Sequence, residues 1–490
     1  MYISTPIYYV NDKPHIGHFY TNLIGDIITR FYRLDGQSVM LSTGTDEHGS
    51  KIARSAQLNN ITPNIFTDKM SSYFVELNKH MKLIDHVFVR TTENNHKKFV
   101  KQVWRTLKDN NQIYLGKYSG WYSISDECFY CDDELIAGKA PTGSTVEWCE
   151  EETYFFKLSE WQSALLSFYE KNPNFVKPAS RMNEVISFVR SGLKDLSISR
   201  ISNSWGIKVP ENSKHTIYVW FEALLSYLTV SQDIHWPADI QIIGKDILKF
   251  HGVYWPALLM AINEKLPKCI LSHGWWTKHN QKISKSLGNI IDPVQIIKKY
   301  SLDYLRYYMI KDITLGEDGN FSEERLIERI NTELVNKIGN LFHRTTNLIY
   351  RYCHGRIPTK FSYTKKDIIL MQEAYDTIHS IKSLMRQYNI KQSIDKILTL
   401  VTKTNIFINN ESPWSMREQN KTRMNTVLYI IVEVLRVVGI LLQPFIPHYA
   451  NNMLDYLKID TRDFKSLNKQ YAIKSGTIIE EPRLMFEKIE

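Results

Sequence analysis

Two histidines three positions apart stand where a predicted strand gives way to a predicted helix. His15 and His18 bracket Gly17, whose missing side chain lets the backbone approach a bulky anion. Imidazole N–H groups donate hydrogen bonds to phosphate oxygens, and the free backbone N–H groups of a helix start favour the same ligand. The spacing predicts a phosphate-binding turn whose histidines stabilise charge on a reacting phosphate. On its own, a His-x-x-His pair is more often an ordinary surface turn.

A second set of cationic side chains lies far downstream, in a polar stretch between a strand and a helical region. Lys282 and Lys285 alternate with serines, and Gly288 follows. A mobile loop of this composition is suited to closing over a polyphosphate and neutralising its charge. The alternative is a solvated basic loop, which is the better explanation when these residues are considered alone.

The elements that must position the two histidines are typical of an α/β sheet. Residues 2–7 predict a short buried strand, and apolar residues recur at helical spacing over 19–31. Residues 38–45 predict a second strand, with Asp46 at its carboxyl end. If the strands are parallel, Asp46 faces the same crevice as the histidines, where a carboxylate suits a substrate ammonium group. The alternative is that Asp46 caps the following helix, and the two roles are compatible.

The α/β pattern resumes after residue 215, behind a segment rich in Tyr, Trp, Ser and acidic residues. Three further strands are predicted, at 216–221, 239–246 and 268–272. At the end of the middle strand, Gly244 and Asp246 can approach a nucleotide, with the carboxylate bonding a ribose hydroxyl. Strand-end turns contain glycine and aspartate anyway, so a simple turn is the alternative.

His273, Gly274 and two tryptophans follow the last of these strands. A glycine beside Trp275 and Trp276 can receive a flat base, or the indoles can simply close the core. The residues by themselves support both explanations equally.

The composition is that of a globular protein with several domains. The chain has 490 residues, 43% apolar and 23% charged, and this length predicts about two to four domains. The net charge of +9 is compatible with a polyanionic partner but does not require one. No signal or transit peptide is predicted, because strand-like sequence begins at residue 2. The apolar segment 427–442 is interrupted by charged residues and predicts a buried helix, with no membrane association.

The cysteines predict neither a disulfide framework nor a complete zinc site. Cys128, Cys131 and Cys149 offer one close pair and a single residue, whereas structural zinc takes four ligands, usually as two pairs. The scattered set predicts a reducing compartment, and therefore a cytoplasmic protein. A mitochondrial location is the alternative.

The ordered combination of these motifs resembles class I aminoacyl-tRNA synthetases. The stretch from His15 to His18 and the 282–286 loop are similar to the two signature motifs of that class. Within the class, the chain resembles the methionyl-tRNA synthetase family over almost its whole length. The stretches that carry this closer resemblance are 5–11, 44–49, 218–224 and 244–251. The Trp-Tyr-Ser-Ile-Ser-Asp-Glu stretch resembles the α-proteobacterial and mitochondrial branch.

The resemblance implies an α/β fold followed by an all-α part. A Rossmann-like catalytic domain with a parallel sheet is split by a β-rich insertion and followed by a helical bundle. The implied segments are 1–112 (first catalytic half), 113–215 (connective insertion), 216–295 (second catalytic half), 296–345 (stem-contact region) and 346–490 (α-helical anticodon-binding domain).

The reaction implied by the resemblance uses ATP to join methionine to tRNA(Met). The methionine carboxylate attacks the α-phosphate of ATP, and the resulting adenylate then passes its methionyl group to the tRNA 3′ end. The first step needs no general base, because the nucleophile is already ionised. Charge stabilisation would come from Mg²⁺ on the pyrophosphate oxygens and from His15, His18, Lys282 and Lys285.

The resemblance also assigns three sets of binding residues. ATP is assigned to Gly17, Gly244, Asp246, His273, Gly274 and Trp276. Methionine is assigned to Ile7, Tyr9, Asp46, Trp220, Tyr227 and His251. The anticodon is assigned to Asn340, Arg344 and Trp414. Aromatic edges suit a thioether, and an indole can stack an unpaired base. Without the resemblance, Trp220, Tyr227 and Trp414 would be explained as buried packing.

Several positions bear on how far the family pattern extends. Ser123 and Asp126 stand where zinc-bearing members have cysteines, so the insertion is expected to be metal-free. Glu222 stands where the family usually has Asp, and Arg200 matches an arginine that can pair with the ammonium-binding carboxylate. A monomer is expected, because the sequence ends without the dimerising domain that some relatives carry.

Two other functions remain open at this point. A small-molecule nucleotidyltransferase can share a His-x-x-His phosphate site, but it needs no helical bundle. A catalytically silent tRNA-binding paralogue would be expected to lose His15, His18 or Lys285, and all three are present.

Overall fold

A computed structural model describes residues 1–123, 128–130, 132–201, 203–231, 236–283 and 288–490. The chain forms two compact units. The first unit comprises Met1–Gly25 and Met40–His273, and the second comprises Asp26–Val39 and Gly274–Glu490.

The described residues form short strands and longer helices. In chain order the strands are β1 (Tyr2–Tyr9), β2 (Met40–Asp46), β3 (His86–Arg90), β4 (Ile113–Ser123), β5 (Cys128–Tyr130), β6 (Glu147–Phe156), β7 (Val176–Lys177), β8 (Leu196–Ser197), β9 (Ser199–Arg200), β10 (Thr216–Ile217), β11 (Ile240–Gly244), β12 (Ile270–His273), β13 (Trp276–Lys278), β14 (Gln281–Lys282) and β15 (Gly319–Asn320). The helices are α1 (Ile16–Leu34), α2 (Ser50–Leu58), α3 (Pro63–His80), α4 (Asn94–Asp109), α5 (Gln162–Lys171), α6 (Ala179–Arg190), α7 (Val219–Ser231), α8 (Trp255–Ala261), α9 (Pro293–Tyr300), α10 (Leu302–Asp312), α11 (Glu323–Arg329), α12 (Asn340–Tyr352), α13 (Lys365–Arg386), α14 (Ile390–Glu411), α15 (Lys421–Leu442) and α16 (Pro447–Tyr456). Phe250–Tyr254 and Ile330–Gly339 are π-helical.

A parallel sheet of six strands organises the first unit, in the order β3-β2-β1-β11-β12-β7. In the centre, Ile3 of β1 lies opposite Leu41 of β2 and Ile240 of β11. The chain order reverses between β1 and β11, and α/β sheets bind ligands at the carboxyl ends of strands beside such a reversal. The predicted α/β fold with a parallel sheet is confirmed.

Helix α7 corrects one strand prediction. The sequence predicts a strand over 216–221, but only Thr216–Ile217 is a strand, and α7 begins at Val219. This helix is buried on most of its circumference, including Phe221, Leu224 and Leu225. A helix buried on every side loses the amphipathic period that distinguishes it from a strand, so its β-branched and aromatic residues misled the prediction.

The β-rich part of the segment 113–215 is shorter than predicted. β4 pairs antiparallel with β5 and β6, and β8 extends this sheet beside β6. Beyond Phe156 the chain forms α5 and α6, and β7 joins the edge of the main sheet. The buried residues Met182, Val185 and Val189 recur at helical spacing in α6.

The second unit is mainly helical, in agreement with the predicted C-terminal bundle. α13, α14 and α15 pack against one another, and α16 packs on α15. Among the described residues, one helix, Lys421–Leu442, is long and apolar enough to cross a membrane, but 94% of its most apolar window is buried inside the protein. The prediction of a buried helix over 427–442 is confirmed.

A buried ion pair within α15 anchors the C-terminal segment. Arg436 donates from Nε and Nη2 to the carboxylate of Glu433 at 2.6–3.0 Å. The same arginine donates from Nη1 to the carbonyl oxygen of Ser466, and the backbone N–H of Ile473 donates to Glu433. Both charged side chains are fully buried, so each depends on the other for compensation of its charge.

We predict that Arg436→Ala lowers the free energy of unfolding by about 3–5 kcal/mol, because it leaves a buried carboxylate without its counter-charge. The control is Arg417→Ala, which removes an exposed pair with Glu418 and should change stability little. Urea unfolding followed by tryptophan fluorescence measures both variants. Equal losses at the two positions would contradict the role given to the buried pair.

Candidate functional site

His15 and His18 lie side by side at the start of α1, after the carboxyl end of β1. Their ring centroids are 4.1 Å apart. The backbone N–H of His15 donates to Nδ1 of His18, and the backbone N–H of Gly17 donates to Nδ1 of His15, both at 3.0 Å. Each Nδ1 is therefore an acceptor, and a neutral ring then carries its proton on Nε2. The turn provides two imidazole N–H donors.

These bonds correct the prediction that backbone N–H groups at the helix start are available for phosphate. The N–H groups of His15 and Gly17 already donate to imidazole nitrogens. A Cβ atom at position 17 would lie 2.8 Å from the ring of His15, so glycine is required for this ring to fold back over the turn. In this turn the imidazoles take the place of those two backbone donors.

The imidazole of His18 is a neutral donor. Its ring contacts Tyr8 and Phe74, at centroid distances of 4.9 Å and 5.3 Å. Burial, together with the neighbouring His15, lowers the pKa of His18 well below its usual value. The ring is therefore uncharged at neutral pH and can stabilise a phosphate by hydrogen bonding without transferring a proton.

The predicted nucleotide residues of the first unit lie at neighbouring strand ends. Gly244 ends β11, directly opposite His273 of β12. The hydroxyl of Thr21 donates to the carbonyl oxygen of Gly17 at 3.1 Å, and it therefore accepts from Nε2 of His273 at 2.8 Å. Asp246 follows β11 in an exposed turn. The structure thus fixes His273 to α1 beside the histidine turn, and the nucleotide contacts stay predictions.

The residues predicted to bind methionine lie on four elements of the first unit. They are Ile7 and Tyr9 on β1, Asp46 at the end of β2, Trp220 and Tyr227 on α7, and His251 in the π-helical turn. Tyr9 lies opposite Asp46 in the sheet, and α7 packs against β1. The fold brings these elements together, and the methionine contacts themselves stay predictions.

Asp46 does not cap a helix, so the alternative explanation of this residue is wrong. It is the last residue of β2, whereas α2 begins at Ser50 with Gly49 before it, at φ 114°. The Asp46 carbonyl accepts from the N–H of Val10 at 3.2 Å. Arg200, the expected partner of Asp46, donates to Ser197 Oγ at 2.8 Å and lies over the ring of Tyr218. Pairing of Arg200 with Asp46 stays a prediction.

Tyr227 and His251 form a buried hydrogen bond whose direction is set by the backbone. Nδ1 of His251 lies 3.0 Å from the carbonyl oxygen of Ile247, so this nitrogen carries the proton. Nε2 then accepts from the Tyr227 hydroxyl at 2.8 Å. Burial lowers the pKa of His251 to about 4, and the ring is neutral. The pair forms a small polar group among apolar side chains.

Two contacts of side chains on α7 were not predicted from the sequence. Trp220 stacks on Phe250, with ring centroids 3.9 Å apart and planes 12° apart. Both rings line a small apolar pocket whose other walls are Phe156, Leu196, Phe221, Leu224, Tyr254 and Leu258. The carboxylate of Glu222 bonds to His48, 174 positions away in the chain. No periodicity or spacing signal connects residues so distant.

The second unit contains the remaining predicted nucleotide residues. A Cβ atom at Gly274 would lie 2.1 Å from the carbonyl oxygen of Glu317, so only glycine fits there. Trp276 is buried against Tyr308 and Phe321, which supports the explanation that this indole closes the core.

Of the two predicted catalytic lysines, the structure describes one. Lys282 is exposed at the end of β14, with Nζ 4.4 Å from the ring centroid of Trp275. Lys285 lies outside the described residues. Its role stays a prediction.

The predicted anticodon residues meet on one surface of the second unit. Asn340 begins α12, and Arg344 follows it by one helical turn. The guanidinium of Arg344 lies 5.3 Å from the ring centroid of Trp414 and donates to Asn409 at 3.0 Å. Trp414 is 39% exposed, so the alternative of a buried tryptophan is wrong. An exposed indole beside amide and guanidinium donors can stack and hydrogen-bond an unpaired base.

No group of three or more His, Cys, Asp or Glu side chains is placed to hold a metal ion among the residues that the structure describes. Cys131 and Asp126 lie outside those residues. Cys149 is half-buried, and burial raises the pKa of its thiol. The metal-free insertion stays a prediction.

Comparison with protein families accounts for nearly the whole chain. The family described as tRNA synthetases class I (M) matches residues 1–147 and 134–346. The anticodon binding domain of methionyl tRNA ligase matches residues 357–490.

Individual relatives lead to the same family. The methionine–tRNA ligase of Rickettsia felis is 48% identical, and the match covers 100% of this chain and 98% of the relative. The Mycobacterium tuberculosis methionyl-tRNA synthetase in complex with methionyl-adenylate has a TM-score of 0.96 at 37% identity, covering 99% of both chains. Its apo form has a TM-score of 0.90 at 34% identity, covering 100% of this chain and 98% of that one. The Rickettsia match agrees with the predicted α-proteobacterial branch. The chain therefore belongs to the methionyl-tRNA synthetase family of class I aminoacyl-tRNA synthetases.

Proposed function

We propose that the protein activates methionine with ATP and transfers it to the 3′ end of tRNA(Met). The observation that carries this proposal is the pair of imidazole Nε2–H donors at the switch point of the sheet, within a chain 48% identical to a methionine–tRNA ligase. The relatives identify the reaction, and the histidine turn supplies a means of stabilising its first transition state.

Two displacements account for the reaction. An oxygen of the methionine carboxylate attacks the α-phosphorus of ATP, and the bond to the β-phosphate oxygen breaks, so that pyrophosphate leaves with the electron pair. A ribose hydroxyl of the tRNA then attacks the adenylate carbonyl and the bond from that carbonyl to the phosphate oxygen breaks, so that AMP leaves with the electron pair and a phosphate oxygen of AMP takes the hydroxyl proton. The first nucleophile is already an anion, so the protein has to position two negative groups and stabilise the charge that develops between them.

His15 and His18 would stabilise the α-phosphate oxygens through their Nε2–H groups. Both donors are held by backbone hydrogen bonds to Nδ1, so they do not have to reorient during the reaction. We assign neutralisation of the departing pyrophosphate to Lys282 and Lys285, in line with the family resemblance. Mg²⁺ would enter as part of the ATP substrate, coordinated by phosphate oxygens.

ATP would be held by glycine turns and strand-end side chains. Asp246 is exposed after β11 and is assigned to a ribose hydroxyl. The other assigned residues are Gly17, Gly244, His273, Gly274 and Trp276. The close packing of Gly274 leaves its backbone as the group that can approach a ligand.

Methionine would be recognised at both ends. Asp46 is assigned to the ammonium group and Trp220 to the thioether, together with Ile7, Tyr9, Tyr227 and His251. Because the Tyr227 hydroxyl already donates to His251, its oxygen lone pairs and ring edge are what it can offer a ligand. An aromatic, largely apolar surface favours a thioether over a charged side chain.

The anticodon would be read in the second unit, by Asn340, Arg344 and Trp414. We assign 1–112 and 216–295 to the catalytic halves, 113–215 to the connective insertion, 296–345 to the stem contact and 346–490 to the anticodon domain.

We also propose a cytoplasmic monomer. Cys149 and Cys353 are thiols, which suits a reducing compartment.

Amino-acid-dependent ATP–pyrophosphate exchange tests the proposed function. The exchange rate with methionine should be well above the rate with any other amino acid supplied alone. Exchange with a different amino acid would refute the methionine pocket, and exchange with none would favour a silent tRNA-binding paralogue.

We predict that His18→Asn lowers the kcat of exchange by about 10²–10³-fold, because it removes one donor to the developing charge. The amide oxygen of asparagine can still accept from the N–H of His15. The matched control is His18→Gln, whose amide N–H reaches closer to the position of Nε2 and should retain more activity. Equal activity of the two variants would contradict the Nε2 assignment.

The neutral state of His18 predicts how the kcat of exchange depends on pH. The pKa of His18 lies well below its usual value, so the ring is neutral at and above about pH 6.5. Wild-type kcat for exchange should therefore show no step due to His18 between about pH 8 and about pH 6.5. A step in that range that disappears in His18→Gln would show that His18 titrates there, and it would contradict a ring that stays neutral at those pH values.

We predict that Trp414→Ala weakens charging of tRNA(Met) about tenfold or more while exchange is unchanged, since stacking on one base contributes about 1–3 kcal/mol. Trp414→Phe is the control, because it keeps a flat ring and should retain most charging. Equal loss of exchange and charging in Trp414→Ala would contradict separate activation and anticodon roles.

A further inference from the structure

Glu222 is a buried carboxylate on α7 with histidine partners on two other parts of the first unit. Its carboxylate oxygens lie 2.8 Å and 3.0 Å from Nδ1 of His48, which follows β2. One of them also lies 3.6 Å from Nε2 of His96 on α4. All three side chains are buried. An aspartate at this position would be shorter by one methylene group, and the longer glutamate spans both imidazoles.

The hydrogen bonds of this group have fixed directions. Burial raises the pKa of Glu222, but His48 and His96 outweigh this effect and hold the pKa below its usual value. The ionised carboxylate can only accept, so His48 donates to it from Nδ1. The hydroxyl of Thr229 donates to the carbonyl oxygen of Leu225 and therefore accepts from Nδ1 of His96 at 3.1 Å. The carboxylate thus sits between two rings that are each held in one orientation.

His48 belongs to the short segment that begins with Asp46, directly after β2. Trp205 holds this segment from another side. Its indole N–H donates to the carbonyl oxygen of Glu47 at 2.6 Å, and its own carbonyl oxygen accepts from the N–H of Gly49 at 3.0 Å. The ring of His48 packs on the indole at a centroid distance of 5.4 Å. The α7 carboxylate adds the contact that ties this segment to α7.

We propose that Glu222 is a positioning residue that sets the distance between the two ends of the methionine site. This inference rests on the proposed function, in which Asp46 binds the ammonium group and Trp220 contacts the thioether. Asp46 lies two residues before His48, and Trp220 lies two residues before Glu222. The hydrogen bond between His48 and Glu222 therefore links the two segments that carry opposite ends of the amino acid. Glu222 acts through His48 and not on the substrate itself.

Because the hydrogen bond between His48 and Glu222 is buried, a change at Glu222 is expected to displace His48. If an amide replaces the carboxylate, one of the two oxygens close to the Nδ1–H of His48 becomes an NH2 donor and the other loses its charge. In a buried site this weakens the hydrogen bond, and the ring has to shift. A shift of His48 moves the chain that carries Asp46. The predicted nucleotide residues of the first unit lie on β11, on β12 and in the turn at the start of α1, whereas this bond joins α7 to the segment after β2, so ATP binding should be less affected.

The experiment measures KM for methionine, KM for ATP and kcat in ATP–pyrophosphate exchange. Glu222→Gln keeps the volume of the side chain but removes its charge, and it should raise KM for methionine about tenfold and KM for ATP less than about twofold. Glu222→Asp keeps the charge on a shorter arm and should recover part of the methionine affinity. The matched control is Ser226→Ala, a buried residue on the same helix, which should leave all three constants unchanged.

A double-mutant cycle tests whether Glu222 acts through His48. In the His48→Ala background, Glu222→Gln should produce no further rise in KM for methionine. Additive effects, or an equal rise in the two KM values, would overturn the proposal. If Glu222→Gln does not fold, the same cycle with Glu222→Asp decides between these outcomes. Lack of methionine-dependent exchange in the wild type would refute the proposed function instead, so the two failures are distinguishable.

Discussion

Two hydrogen bonds from backbone N–H groups to imidazole nitrogens determine what the strand-end site can do. Because His15 and Gly17 donate to Nδ1 of His18 and His15, the proton of each neutral ring is on Nε2. Gly17 is part of the same constraint, since any side chain there would collide with the ring of His15. The turn thus offers donors of fixed orientation to an anion, and the first step of the proposed reaction needs stabilisation of charge and no proton transfer.

The same device recurs at other histidines of the first unit. A backbone carbonyl fixes the tautomer of His251, and a hydroxyl group fixes that of His273. A histidine fixed at one nitrogen presents the other in a known role, as donor or acceptor. Donors that are already oriented do not have to rearrange in each catalytic cycle. Electrostatic stabilisation by enzymes comes largely from such preorganised groups.

Much of this arrangement could be predicted from the sequence, because it depends on local pattern. Strand-forming residues predicted β1, β2 and β11, helical spacing predicted the buried helix over 427–442, and motif order predicted the family. The errors come from context. The predicted strand over 216–221 is wrong because α7 is buried on most of its circumference and so lacks an amphipathic pattern. The prediction of available N–H groups at the helix start is wrong for His15 and Gly17, whose N–H groups donate to imidazole nitrogens. Long-range partners such as Glu222 and His48 leave no signal in one sequence, since only the fold brings them together.

The central claim is that His15 and His18 present Nε2–H groups to the ligand. Nitrogen NMR of the protein labelled with ¹⁵N-histidine measures this directly. The variants His15→Gln and His18→Gln assign the signals of the two rings. At neutral pH we expect a protonated Nε2 and an unprotonated Nδ1 for both rings, with the same tautomers after methionine and ATP are added. A proton on Nδ1 of either ring, or an imidazolium at His18, would contradict it.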